Sequence, residues 1–163
     1  MADLDLPQSV LDLTEFTPME DVALYILRAA LPDVPCFSLI PDDPPRGAWL
    51  LVRRESAFGE WRGNSRFLDF GRVAIQAFTE DPDGDEKAAL LSEAVRVCMR
   101  EARLANLEIP GVGWVTRIEM LAEPVRKTDW ATSQGPVQFA DLPNGYWRYE
   151  ARYALYVRKR LNP

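Results

Sequence analysis

Hydrophobic and polar positions are most regular in the stretch from residue 67 to residue 103. In its first part, Val73, Ile75 and Ala77 alternate with more polar residues, and this period-two spacing predicts a β-strand over 67–79. In its second part, apolar residues recur at three- and four-residue steps, which predicts an amphipathic helix that ends near Leu104. The residues of this apolar stripe are Ala88, Leu91, Val95, Cys98 and Ala102.

An acidic turn with the sequence TEDPDGDE, residues 79–86, joins the predicted strand to the predicted helix. Carboxylates at this position would cap the helix and complement the positive end of its dipole. A calcium-binding loop is the alternative, but the run lacks the spaced ligands and the final glutamate of an EF-hand. The turn is therefore interpreted as a helix N-terminus, and no metal site is predicted.

A shorter helix is predicted upstream of this strand. Thr17 and Glu20 have the spacing of a capping box, with Pro18 at the first helical position, and Pro32 would end the helix near Ala30. One face of the helix is apolar. Its residues are Met19, Val22, Ala23, Ile26, Leu27 and Ala30.

Four further strands are expected, at 36–39 (short), 49–54, 113–121 and 146–158. The strand-helix-strand connection places the 113–121 strand in the same sheet, with Trp114, Thr116, Ile118 and Met120 on one face. If it pairs antiparallel with 146–158, Arg117 and Glu119 on its other face could meet opposite charges across the ladder, either as a solvated face or as a subunit interface. The fold class expected is α+β: a single mixed, mostly antiparallel four- to five-stranded sheet covered by two helices, in the order α-β-β-α-β-β.

Two long segments without periodicity are candidate contact loops. The 55–66 loop would project from a hairpin, so its aromatic residues either fold back onto the core or meet a partner. The 122–145 loop is longer than most loops in compact domains, and its apolar rings favour docking over disorder. The candidate protein-protein interface residues on the two loops are Phe58, Trp61, Arg62, Arg126, Lys127, Trp130 and Phe139.

Composition fits one domain and excludes several classes of site. The chain has 163 residues, a net charge of −6 and no histidine, which removes histidine-dependent triads and histidine-ligated metal sites. Cys36 and Cys98 lie in apolar contexts and are expected to be reduced, buried thiols. Phosphate-binding, dinucleotide-binding and nucleophile-elbow motifs are absent from the sequence. We therefore expect no enzymatic activity, no cofactor and no membrane span.

The acidic residues are concentrated near the N-terminus. Residues 1–45 hold nine acids and one base, a net charge of −8. Residues 1–16 show neither clean periodicity nor caps, and we interpret them as an extended acidic arm that orders only against a neighbour, or as a frayed tail. Residues 17–160 form the predicted domain. This charge distribution argues against specific nucleic-acid binding through a basic patch.

The order of predicted elements resembles that of the tail terminator proteins of long-tailed, siphovirus-type bacteriophages. The resemblance spans residues 17–160 and is clearest in three places. These are the segment RVAIQAFTEDPDGDEKAALLSEAVRVCM, the 114–121 strand with the Pro-rich loop after it, and the closing YWRYEARYALYVRKR.

The resemblance implies a virion structural protein at the tail-neck junction, assembled in the host cytoplasm. Such proteins form a hexameric ring on the tail tube, stop tube polymerisation and present a surface to the head-completion proteins of the neck. The implied partners are copies of this chain, the tail tube protein and a neck protein, while DNA passes through the lumen, which we expect to be acidic. The alternatives are a head-tail connector or head-completion protein, and a non-enzymatic bacterial cytosolic interaction module.

Overall fold

The computed structural model describes residues 6–12, 17–55, 67–127 and 146–160. Three helices and six strands lie in these ranges. In chain order they are α1 (Gln8–Asp12), α2 (Met19–Ala30), β1 (Cys36–Phe37), β2 (Trp49–Arg54), β3 (Leu68–Glu80), α3 (Gly84–Leu104), β4 (Glu108–Ile109), β5 (Gly113–Lys127) and β6 (Tyr146–Lys159).

The six strands form one mixed sheet in the order β1-β2-β3-β6-β5-β4. Only β1 and β2 pair parallel, and the other neighbours pair antiparallel. Because β3 and β5 are both antiparallel to β6, they run parallel to each other, and α3 is the crossover that connects them. The predicted fold class is confirmed, except that the two-residue strands β1 and β4 bring the strand number to six.

Helices α2 and α3 pack on one face of the sheet and form the main core with it. Val22, Leu27, Val95 and Met99 from the helices are almost completely buried there, against side chains such as Leu155. Full burial of each such side chain stabilises the fold by about 1.5–3 kcal/mol, so this layer supplies most of the driving force.

The opposite face of the sheet is buried at its β2–β3 end. Trp49 stacks on Phe78 with ring centroids 4.1 Å apart and planes 7° from parallel, and Leu51 packs beside them. Phe37 and Ile40, from β1 and the segment after it, pack against this cluster. The sheet is therefore a central layer at this end.

The predicted capping box of α2 is wrong. The helix begins at Met19, and its N-cap residue is Pro18, which makes no side-chain cap. The Thr17 N–H donates instead to Oδ2 of Asp69 at 3.0 Å, and Oε2 of Glu20 accepts from the Arg54 N–H at 3.1 Å. The polar groups of the box are thus used in tertiary contacts with strands, which a local motif cannot reveal.

The acidic turn leads into α3 as predicted, but not through a side-chain cap. Asp83 is the N-cap residue, has a left-handed φ of 62° and makes no capping bond with its side chain. Asp85 and Glu86 lie in the first turn of the helix, where negative charge is favourable. The α3 boundary near Leu104 is confirmed.

Strand β5 differs most from its prediction. It continues beyond Leu121 to Lys127, and register shifts between Val115 and Arg117 reverse the side-chain alternation, so that Val115 and Ile118 are the buried residues. Antiparallel pairing with β6 is confirmed, but Arg117 lies opposite Tyr156 and forms an ion pair with Glu119 on its own strand. The expectation of opposite charges across the ladder was wrong.

The described part of the N-terminal arm is also not extended. Residues 8–12 form the single-turn helix α1. The two cysteines are free, as expected, with Cys36 buried and Cys98 partly buried. Burial raises the pKa of the Cys36 thiol to about 11 and also raises that of Cys98.

Candidate protein-protein interface

The structure places two of the seven predicted interface residues. Arg126 and Lys127 are the last residues of β5, so they belong to the sheet and not to a loop that begins at 122. The other five lie outside the described residues. They are Phe58, Trp61, Arg62, Trp130 and Phe139.

Arg126 lies on the α3 side of the sheet, in a cluster at the start of that helix. Its guanidinium carbon is 4.1 Å from the ring centroid of Trp147, and its Nε is 3.7 Å from Oδ1 of Asp85. The Trp147 indole N–H donates to Oδ1 of Asp81 at 2.7 Å. Gly84 allows this arrangement, because a Cβ at that position would overlap the Trp147 ring.

Tyr149 completes this Trp147 cluster. Its hydroxyl donates to Oδ1 of Asp85 at 3.1 Å. Desolvation, together with the hydrogen bond to Asp85, raises the pKa of the Tyr149 phenol. The acidic turn therefore acts as an acceptor for β6 side chains, which ties the start of α3 to the ends of β5 and β6.

Lys127 lies on the opposite face, in a second polar network. Its Nζ is 3.4 Å from Oε1 of Glu150, whose other oxygen accepts from Nε2 of Gln76 at 2.8 Å. Arg152 lies 3.7 Å from the same carboxylate and 3.0 Å from Oε1 of Glu55. Glu150 is thus held by three neighbouring side chains, and its side chain is only 12% exposed.

In the part of the chain that the structure describes, the outer edge of β5 is unpaired over most of its length. Within the described residues, β4 pairs only with Gly113 and Trp114, and the Val115 N–H donates to the Leu107 carbonyl at 2.9 Å. From Thr116 to Lys127, no described strand lies on that side of β5. An open edge presents unpaired backbone donors and acceptors to any extended chain that approaches it.

Large apolar side chains are exposed along the same stretch of β5. Met120 is 41% exposed, Leu121 48% and Val125 49%. A surface groove of about 450 Å³, here called the α3–β5 groove, lies beside Met120. Its lining residues are Ala89, Glu93, Arg96, Met120, Glu123, Pro124 and Tyr149.

At the other end of the sheet, the outer side of β2 is covered. Strand β1 pairs with Leu50 and Leu51 of β2, and the Glu20 carboxylate from α2 accepts the Arg54 N–H at the far end of β2. Side-chain capture of an outward N–H blunts an edge against further pairing. The two edges of this sheet are therefore chemically different.

Neither a metal-binding cluster nor a membrane-spanning helix occurs among the described residues. No group of three or more His, Cys, Asp or Glu side chains among them is placed to hold a metal ion. None of the helices in the described ranges is long and apolar enough to cross a membrane.

The open β5 edge was missed in the sequence because the strand was predicted to stop at Leu121. The residues after it, AEPVRK, contain Pro124 and do not alternate, and Pro and bulges are devices that real edge strands use. A Pro in an otherwise extended run was therefore the available signal for an edge strand rather than for a loop.

Comparisons with known proteins give no family. No family model and no curated protein matches this chain. One solved structure is similar over 97% of this chain and 99% of that one, with 15% identity and a TM-score of 0.41, and that protein carries only a sequence label that states no function.

Proposed function

We propose that this protein is a structural subunit that closes a ring on the end of a bacteriophage tail tube. The ring stops tube polymerisation and forms the joint to the head-completion proteins of the neck. It has no catalytic role, and DNA passes through its lumen without specific binding. The closed ring, most simply a hexamer, is built from copies of this chain.

The observation that carries this proposal is the difference between the two edges of the sheet. A ring with cyclic symmetry needs a heterologous interface, in which one surface of a subunit meets a different surface of the next. Among the described residues, an unpaired edge at β5 and a covered edge at β2 give one subunit two unlike sides. The order of the main elements, α-β-β-α-β-β, is also the order that the sequence resemblance implies.

The charge of the chain is compatible with a DNA-conducting ring. A net charge of −6 repels the phosphate backbone, so DNA would pass without adhering to the wall. The two basic residues at the end of β5 do not counter this, because Arg126 and Lys127 are already engaged with Asp85 and Glu150.

The test is electron microscopy of phage tails that are assembled with and without this protein. If it caps the tube, tails that lack it are overlong and heterogeneous in length, and supplying the protein from a plasmid restores uniform tails. Tails of normal length that fail to join heads would refute the proposal and identify a connector instead. Normal, joined tails in its absence would leave the bacterial interaction module as the surviving alternative.

A further inference from the structure

We propose that the acidic segment Asp3–Leu6 of one copy adds as a short strand to the open edge of β5 in a second copy. This inference names the contact between neighbouring subunits, and it rests on the proposed function for the expectation of a ring. The contact forms in solution, without the tail tube.

The backbone of β5 sets what can bind there. From Thr116 to Lys127 the outer N–H and C=O groups of β5 pair with no described strand, and an extended peptide is a partner that satisfies such groups. The length of that peptide is limited. Pro124 has no N–H, and the register shifts near Leu121 and Pro124 interrupt the regular ladder. A short strand therefore fits this edge better than a long one does.

The pattern of the arm matches the side chains next to this edge. Residues 3–6 read Asp-Leu-Asp-Leu, so a strand made from them presents both leucines on one face and both aspartates on the other. On the α3 side, Met120 and Pro124 line the α3–β5 groove and can receive the leucines. On the opposite face, the Lys127 ammonium, whose side chain is 34% exposed, can receive one of the aspartates.

The first described residue of the arm, Leu6, is 50% exposed. Helix α1 packs extensively on no other described element. Full burial of a leucine side chain contributes about 1.5–3 kcal/mol. A neighbour that covers Leu4 and Leu6 would therefore add stabilisation that Leu6 does not gain from the described residues of its own subunit.

Two other occupants within an assembly of this chain fit less well. The β2 edge of a neighbour cannot pair with β5, because β1 and the Glu20 carboxylate already occupy it. Antiparallel pairing of β5 with the β5 of a second copy needs a long regular edge on both sides, which Pro124 and the bulges interrupt twice. Such symmetric pairing would also give closed dimers and not a ring.

The experiment compares the assembly of four proteins by native mass spectrometry and light scattering over a concentration series. They are the full chain, a variant that lacks Ala2–Pro7, the double variant Leu4→Ser/Leu6→Ser and the control Leu39→Ser. Leu39 is the matched control because it is 76% exposed and lies far in the chain from both the arm and β5. Circular dichroism and thermal melting confirm that each variant is folded.

We expect the full chain and Leu39→Ser to assemble alike, and the two arm variants to need at least about tenfold higher concentration. Hydrogen exchange should show slower exchange of backbone amides between Thr116 and Lys127 in the full chain than in the truncated variant. Arm variants that assemble like the full chain, or a full chain that stays monomeric at every concentration, would overturn the inference.

Tail lengths separate this outcome from the proposed function. In one outcome, truncation of the arm abolishes assembly of the subunits, but phage tails are normal without the protein. This result would support arm docking and refute the tail role. Overlong tails without the protein, combined with unchanged assembly of the arm variants, would refute arm docking and leave the tail role intact.

Discussion

Substitution of Gly84 by Ala tests the Trp147 cluster that joins α3 to β5 and β6. A Cβ on Gly84 would overlap Cδ1 of Trp147 and come within 3.0 Å of its Cγ, so the ring must leave its position. The ring would then lose its hydrogen bond to Asp81 and its contact with Arg126. A hydrogen bond to a charged group contributes about 1.5–3 kcal/mol, and an exposed cation-π contact about 0.5–1 kcal/mol.

Two effects reduce this sum. The Asp81 contact is solvent-exposed, which places its contribution at or below the lower limit. Alanine is also a better helix former than glycine by up to about 1 kcal/mol, although less at the first helical residue. We therefore expect Gly84→Ala to lower the free energy of unfolding by about 1–2 kcal/mol.

The assay is a double-mutant cycle measured by urea denaturation, with Gly84→Ala introduced into the natural chain and into a Trp147→Ala background. Without the ring, the new methyl group meets no overlap, and Gly84→Ala should be neutral or slightly stabilising. A change of sign between the two backgrounds is the expected signature. Equal destabilisation in both would show that the cost comes from the helix start itself and would refute the packing argument.

Three further perturbations test other parts of the fold. Leu155→Ala should lower the free energy of unfolding by about 2–5 kcal/mol because Leu155 is fully buried. In the same denaturant titration, Leu104→Ala should change it by no more than about 0.5 kcal/mol, because that side chain is 66% exposed. Glu20→Ala should lower the free energy of unfolding by about 1 kcal/mol, and it should raise the hydrogen-exchange rate of the Arg54 amide, which loses its acceptor. An unchanged exchange rate would contradict a closed β2 edge. Burial raises the pKa of Tyr153 from 10.0 to about 12, so its stabilising contribution is complete below pH 10 and is lost as pH rises towards 12. Phenol absorbance followed with the unfolding midpoint checks this, and Tyr153→Phe should remove that part of the alkaline loss.

The sequence was sufficient for the parts of the fold that local pattern determines. The apolar stripe of α3 and the alternation in β3 predicted both elements with nearly correct ends, because each buries one regular face. The order of the elements then left few possible sheets. Two of the failures share a cause, which is that side chains with strong local motifs make their contacts with residues far away in the sequence. Glu20, predicted to cap α2, binds Arg54 on β2, and Asp85 in the acidic turn binds Tyr149 on β6.

The candidate interface was only partly predictable for the same reason. Arg126 and Lys127 were selected as exposed basic residues of a loop, and the structure shows each engaged with a different layer of the molecule. Two adjacent basic residues do not by themselves indicate a strand whose side chains point to opposite faces. The nearby Pro124 argued against a strand here. The open edge itself is a property of which strands are neighbours, and no single segment contains that information.

The positions of Arg126 and Lys127 change what these residues contribute to an interface. Because consecutive strand residues point to opposite faces, Arg126 is held by Trp147 and Asp85 above the sheet, while Lys127 is held by Glu150 below it. Both contacts fix the end of β5 without using the backbone groups of its outer edge. An edge strand that is anchored from both faces loses little conformational entropy when a partner strand pairs with it, so more of the pairing energy remains as affinity. In the proposed arm contact, the two basic residues position the β5 edge, and Lys127, whose side chain is 34% exposed, keeps donors for an aspartate of the arm.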